Sequence, residues 1–210
     1  MNRWFDDFPI IGKYVSGKIV LSFFMVLFSL ILFLIFRVTD RLLCVFAMIF
    51  SFIGDVALNH KPTISSQSKR DFILGGTAFI VAHIFYCVAY GLKIKENNFE
   101  IFNIGVLFAI AILLAVTIYM LAKADLRMHS KLFLFGLLYL WLTGLNYITI
   151  FSFAISAKSI ESICLIGGLS FLASDVIIGL EKFTGLRSKV ARELVWWFYP
   201  IGQILLISVG

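Results

Sequence analysis

The sequence predicts an all-α protein, a polytopic transmembrane helical bundle of seven spans. Three observations carry this. Apolar residues make up 61% of the 210-residue chain and charged residues only 14%, against roughly 45–50% and about 25% in soluble domains. The apolar residues fall into seven runs, each about 17–25 residues long and so able to cross ~30 Å of hydrocarbon as a helix. No run alternates apolar and polar side chains as a barrel strand does, which leaves helices to satisfy the backbone in lipid.

Residues 1–17 hold Trp4, Phe5, Phe8 and Ile10 among Arg3, Asp6, Asp7 and Lys13. They are too few and too charged to span, and read as an interfacial segment. A single transmembrane domain follows over residues 18–210. Its first span is Ile19–Phe36, long for a signal-peptide core and without a small-residue cleavage site, so it is read as retained. The second is Leu42–Leu58, followed by a polar loop, His60–Arg70. The third, Phe72–Leu92, carries His83, Tyr86 and Tyr90, and a loop at Lys93–Glu100 leads to the fourth, Ile101–Ala122, nearly free of polar groups. After a basic loop, Lys123–Lys131, come the fifth, Leu132–Ser156, and the sixth, Ile160–Leu180. A charged stretch, Glu181–Arg192, precedes the seventh, Leu194–Val209, which Pro200 interrupts.

The net charge of +6 does not point to nucleic acid, because the basic residues sit in short loops between apolar runs. They act there as orientation signals and contacts for anionic headgroups. Seven spans divide the 18 Lys and Arg residues into thirteen on the N-terminal side and five on the other. That bias predicts a cytoplasmic N-terminus. Compact loops suit a bacterial inner membrane. The three cysteines, Cys44, Cys87 and Cys164, lie in separate runs and form no CxxC pair, so neither a disulfide framework nor a zinc knuckle is indicated.

Two runs contain a carboxylate. Asp55 lies in FSFIGDVAL and Asp175 in LSFLASDVIIGL. A charge at the middle of a membrane helix costs at least ~2.5–3.5 kcal/mol, so such residues are rare and usually functional. The orientation puts both in the cytoplasmic half at similar depth, facing one another. The shared pattern of small residue, Asp, Val also fits a 3+1+3 repeat with the fourth span as linker. Residues three, four and seven apart share a helix face. Ser51, Asp55 and Asn59 then line one stripe, and Phe79, His83, Tyr86 and Tyr90 a second. Tyr139, Thr143, Asn146 and Tyr147 make a third, Phe171, Asp175 and Gly179 a fourth, and Trp196, Tyr199 and Gln203 a fifth. Five stripes turned inward would line a pocket and leave spans one and four, which lack one, facing lipid. Gly167, Gly168 and Gly179 would permit close approach on the sixth span.

The blander alternatives have their own chemistry. Either aspartate could simply hydrogen-bond a neighbouring helix. His60 and His129 fall in loops, away from His83, so a three-histidine zinc site is not supported and no metal or cofactor is expected. Ser51, Ser170 and Ser174 lack a GxSxG elbow and a sequence-placed base. A paired-carboxylate site remains, either for acid–base catalysis or for a transporter working by alternating access.

Four stretches, FSFIGDVAL, GGTAFIVAHIFY, LSFLASDVIIGLEKF and FYPIGQILL, resemble the successive signatures of the lysoplasmalogenase family, the YhhN-type membrane proteins. The resemblance covers about residues 18–210. Members of the family are usually drawn with eight spans, against seven counted here. The resemblance implies hydrolysis of the vinyl ether bond of 1-alkenyl lysophospholipids, giving a fatty aldehyde and a glycerophospho-base, without metal or organic cofactor. Asp55 and Asp175 match the family's acidic pair, and His83, Tyr199 and Gln203 its other polar positions. Ser51, Asn59, Tyr86 and Asn146 join them as expected pocket residues, with Lys182 a candidate phosphate partner. The expected partners are a lysophospholipid and membrane lipids.

Overall fold

The computed structural model describes residues 17–59, 65–100, 103–123, 131–157, 159–184 and 189–210. These residues form α1 (Gly17–Phe36), α2 (Thr39–Asn59), α3 (Ser65–Glu96), α4 (Ile104–Lys123), α5 (Lys131–Ser156), α6 (Cys164–Thr184) and α7 (Lys189–Val209). A 3₁₀ turn, Ile160–Ile163, leads into α6. Six helices are long and apolar enough to cross a membrane, and α7 contributes a shorter apolar stretch, Glu193–Val209. The protein is a multi-pass helical membrane bundle. The expected interfacial segment, apart from Gly17, lies outside the described residues.

The helix ends differ from the sequence reading wherever polarity suggests a loop. α3 already runs from Ser65 and continues through Glu96, so half of the expected loop at His60–Arg70 is helical. At 32 residues and ~1.5 Å per residue, α3 outreaches ~30 Å of hydrocarbon. Gln67, Lys69 and Arg70 are good helix formers, and polarity marks where a helix leaves lipid rather than where it stops. Beyond Glu96 the chain turns at Asn98, whose φ of 52° is left-handed, while the Phe99 amide donates to the Ile94 carbonyl at 2.9 Å. That closure is the usual way to finish a helix. Pro200 does not interrupt α7, which runs through it; membrane helices tolerate proline because their neighbours hold the freed carbonyl region in place.

α2 packs chiefly on α3, and α6 on α7. α1 lies along α2, while α5 sits between α3 and α6 and carries α4. Within the first three and the last three helices, sequence neighbours pack together. Only 17% of the α1 span and 28% of the α4 span is buried, the two lowest values. This agrees with the expected lipid-facing positions, and Phe23, Phe24, Leu34 and Ile35 of α1 are exposed. One expectation for α1 fails, however. It does carry an inward stripe, Ser22, Met25 and Ser29, at three- and four-residue spacing.

The end of the bundle opposite the N-terminus is locked by charge. The Lys93 ammonium lies 3.2 Å from an Asp40 carboxylate oxygen and 3.7 Å from one of Glu161. The Arg41 guanidinium donates to the carbonyls of Ile207 and Ser208, at 2.6 and 2.9 Å. These carbonyls end α7 and lack helical partners, so a cation there is favourable. Four elements are thereby tied together: α2, α3, the 3₁₀ turn and α7.

Small residues set the α6–α7 distance. A Cβ on Gly202 would lie 2.8 Å from the Phe171 amide nitrogen and 3.0 Å from the Gly167 carbonyl oxygen; one on Gly167 would lie 2.9 Å from Leu205 Cβ. Backbone cannot give way as a side-chain tip can. We therefore expect Gly202→Ala to force the helices apart and destabilise the protein by ~1–3 kcal/mol, the usual range for overpacking. Thermal unfolding in detergent checks this, and an unchanged midpoint would contradict it. Gly179 behaves otherwise than expected: a Cβ there meets nothing within 4 Å. It opens a cavity instead of joining two helices.

Candidate functional site

The inward stripes build two hydrogen-bonded clusters. In the first, Asp55 is 1% exposed. Its Oδ1 lies 2.8 Å from the Lys18 ammonium. Its Oδ2 accepts from the Tyr199 hydroxyl at 2.7 Å and from the Ser22 hydroxyl. Lys18 also lies over the Tyr199 ring, 4.7 Å from its centre. A buried carboxyl group thus meets one ammonium and two hydroxyl donors, the charge-assisted contacts that make its burial tolerable. One turn away, Gln203 bridges two helices: its amide donates to Ser51 Oγ at 3.1 Å and its carbonyl accepts from Tyr86 at 2.6 Å.

The second cluster surrounds Asp175. Its Oδ2 accepts from the Tyr147 hydroxyl at 2.8 Å and lies 3.2 Å from His83 Nε2. The Asn146 amide nitrogen stands 2.8 Å from His83 Nδ1. As placed, Asn146 donates to Nδ1, which leaves the ring proton on Nε2 to face Asp175. The imidazole is stacked on Phe171, centres 4.6 Å apart, with Tyr147 edge-on at 5.4 Å. Tyr139 lines the cavity beside Asp175 and lies edge-on to the His83 ring, centres 6.4 Å apart.

A cavity joins the clusters. Lys18, Tyr139, Asp175 and Tyr199 supply its polar wall; Phe72, Gly76, Phe79, Met120, Phe135 and Gly179 are among its apolar lining. Its volume is about 60 Å³, well under the ~300–1,000 Å³ of sites shaped around a small molecule. Asp175 reaches it directly. Asp55 is absent from the lining and stands behind Lys18 and Tyr199, its own partners. The lining comes from the start of α1, the end of α2, the early part of α3 and α5, the late parts of α4 and α6, and Tyr199 in the middle of α7. Apart from Tyr199, these lie toward the end of the bundle where α1 begins.

Of the residues singled out in the sequence, Ser51, Asp55, His83, Tyr86, Asn146, Tyr199 and Gln203 are buried, and the Asp175 side chain is 10% exposed. All eight belong to these two clusters. The side chains of Asn59 and Lys182 lie outside the described residues. The Ser174 hydroxyl donates to the Phe171 carbonyl of its own helix at 2.8 Å, and Ser51 is held by Gln203, so neither serine faces a base. Sequence reasoning misses Lys18 and Ser22. In the sequence Lys18 counts only as an orientation charge, although Ser22 and Ser29, seven apart, could have revealed the face it stands on. Among the described residues no group of three His, Cys, Asp or Glu is placed to hold a metal ion.

The comparisons agree with this architecture at the level of family. The YhhN family profile matches residues 16–209, nearly the whole chain. No curated protein and no solved structure matches it.

Proposed function

The chain belongs to the YhhN family, and from that premise we propose that it is a lysoplasmalogenase-type hydrolase. Its reaction is cleavage of the vinyl ether bond of 1-alkenyl lysophospholipids, and its site is the cavity toward the end of the bundle where α1 begins, turned to the cytoplasmic half of a bacterial inner membrane. The single observation that carries the reading is the juxtaposition of a cavity-facing carboxyl, Asp175, with an ion-paired buried carboxylate, Asp55, around apolar walls.

A vinyl ether breaks when its β-carbon is protonated. Protonated Asp175 gives that proton, and the π electrons form the new C–H bond, leaving an oxocarbenium ion. Water adds to the cationic carbon and returns a proton to Asp175. The hemiacetal then collapses to aldehyde and glycerol hydroxyl. The Tyr147 and His83 donors stabilise the Asp175 carboxylate left after proton transfer, which favours giving the proton up. After proton transfer the Asp175 carboxylate is itself the anion beside the developing cation, while Asp55 stands behind Lys18 and Tyr199 and fixes that wall of the cavity. The division gives one carboxyl that reaches the substrate and one that holds the wall beside it. The alkenyl chain lies among Phe72, Phe79, Phe135 and Met120.

The test is purified protein in detergent with a 1-alkenyl lysophospholipid, following aldehyde release. Turnover supports the reading. No aldehyde from any alkenyl lysolipid, with substrate-driven uptake into liposomes instead, would replace it with transport. Gly179 offers a second check. Because nothing lies within 4 Å of its missing Cβ, Gly179→Leu should fill the cavity without straining the fold. We expect at least a ~10-fold loss of kcat/KM, as for misplaced substrate, with an unchanged unfolding midpoint. Full activity would remove this cavity as the site.

A further inference from the structure

We propose that Lys18 is the phosphate-binding residue of this cavity, and that Asp55 and Tyr199 serve to aim it; the inference rests on the lysophospholipid reading above. An ammonium in an apolar wall is expensive to desolvate, so its presence there calls for a reason. Asp55 answers only part of the need. The Asp55 Oδ1 takes one face of the ammonium at 2.8 Å, and the Tyr199 ring lies 4.7 Å below. A lysine head has three N–H donors, and the Lys18 side chain keeps 29% of its surface exposed. Part of the side chain borders the cavity.

That space is unusual in having two sides. Lys18 and Tyr199 line the main cavity and also a smaller one between α1 and α7, bounded by Leu21, Val195, Trp196 and Pro200. The pair therefore forms a shared wall, with Asp175 on the main-cavity side. Among the described residues Lys18 is the one cation in the lining of the main cavity. In a lysophospholipid only the glycerol backbone separates the ether oxygen from the phosphate. An acid at Asp175 and a phosphate contact at Lys18 thus suit the two ends of one glycerol.

Asp55 also explains why the lysine is ready for an anion. Ser22 and Tyr199 occupy Oδ2 and so fix the carboxylate, which in turn holds the ammonium in place before any ligand arrives. Pre-aiming a flexible side chain lowers the ordering cost of binding. In this arrangement Asp55 is a positioning residue for the headgroup.

The test separates phosphate recognition from turnover by using lipids that cannot be cleaved. Intrinsic tryptophan fluorescence in detergent would be titrated with a 1-O-alkyl lysophosphatidylcholine and with the matching 1-O-alkylglycerol, which lacks the phosphate. Wild type should prefer the phospholipid by at least ~10-fold, the range of a charge-assisted hydrogen bond. Lys18→Met should abolish that preference while leaving alkylglycerol affinity within ~2-fold, and Lys18→Arg should retain it. If Lys18→Met folds poorly, Lys18→Met with Asp55→Asn removes both charges together and should show the same loss of preference. Retained preference in either Met variant, equal weakening for both lipids, or no preference in wild type overturns the proposal. Inorganic phosphate should not displace the alkyl lysolipid at millimolar concentration; displacement would make this a site for free phosphate. A Lys18-dependent preference without aldehyde release from an alkenyl lipid would sink the hydrolase reading and leave the phosphate site standing. Aldehyde release without that preference would do the reverse.

Discussion

Asp175→Asn is expected to lower aldehyde release at least ~100-fold, the lower end of what a positioned acid–base group supplies, while leaving the bundle folded. Asparagine keeps an oxygen to accept from Tyr147 and His83, whose bonds to Asp175 measure 2.8 and 3.2 Å. It cannot deliver a proton to carbon or take one from water. The loss should therefore appear in kcat rather than KM, since the interaction is made only in the transition state. Its partners should behave differently. Tyr147→Phe removes one stabilising donor from the conjugate base and leaves the acid in place, so its effect should be smaller than that of Asp175→Asn. Aldehyde release under saturating substrate decides the matter. An Asp175→Asn protein with wild-type kcat would take this carboxyl out of the chemistry and shift the search for the acid to Asp55.

Much of this is readable in the sequence because lipid leaves a chain few choices. Hydrocarbon thickness sets the run length and forces helices, so the seven runs correspond to seven helices. The 3.6-residue period then places side chains by face. Ser51 with Asp55, and Tyr199 with Gln203, pair on stripes before their partners are known. His83, Tyr86 and Asn146 emerge in the same way. What periodicity cannot supply is which stripe meets which. His83 bonds to Asp175 across 92 positions and Tyr199 to Asp55 across 144. No local pattern records such a pairing.

The misses have the same origin. Lys18 sits at the edge of an apolar run, where lysines commonly orient a span. Only packing against α2 and α7 reveals that this one reaches a buried carboxylate. The helix ends fail for a different reason. Charged residues at Lys93 and at Lys69–Arg70 read as loop because they leave the hydrocarbon, yet hydrogen bonding along α3 does not depend on side-chain polarity. Gly179 reads as a contact glycine from its type alone; the same small size makes either a helix crossing or a hollow, and the surrounding helices decide which. The sequence sets the two aspartates face to face. In the structure each has its own set of donors, and the asymmetry between an exposed edge at Asp175 and a buried ion pair at Asp55 is what separates their proposed roles.

That asymmetry gives the second large effect, which concerns stability. Lys18→Met leaves Asp55, 1% exposed, without its counter-charge. Removing one partner of a buried ion pair costs ~3–5 kcal/mol because the other charge stays buried. Asp55→Asn strands Lys18 instead, but the Lys18 side chain is 29% exposed and can turn toward water. Its cost should be nearer that of a lost charged hydrogen bond, ~1.5–3 kcal/mol. The combination Lys18→Met with Asp55→Asn leaves no charge to desolvate, and the oxygen of the introduced amide still accepts from Ser22 or Tyr199. The double variant should therefore be more stable than Lys18→Met alone, with a coupling of ~0.5–3 kcal/mol. Unfolding midpoints of the four proteins in one detergent measure the cycle. Additive losses would mean that the 2.8 Å pair does not carry the energy assigned to it, and that Asp55 is held chiefly by its two hydroxyls. The cycle also sorts function from fold. A double variant that regains stability but not turnover shows that the membrane bundle survives without this pair of charges, while catalysis still needs the carboxylate, the ammonium it aims, or both.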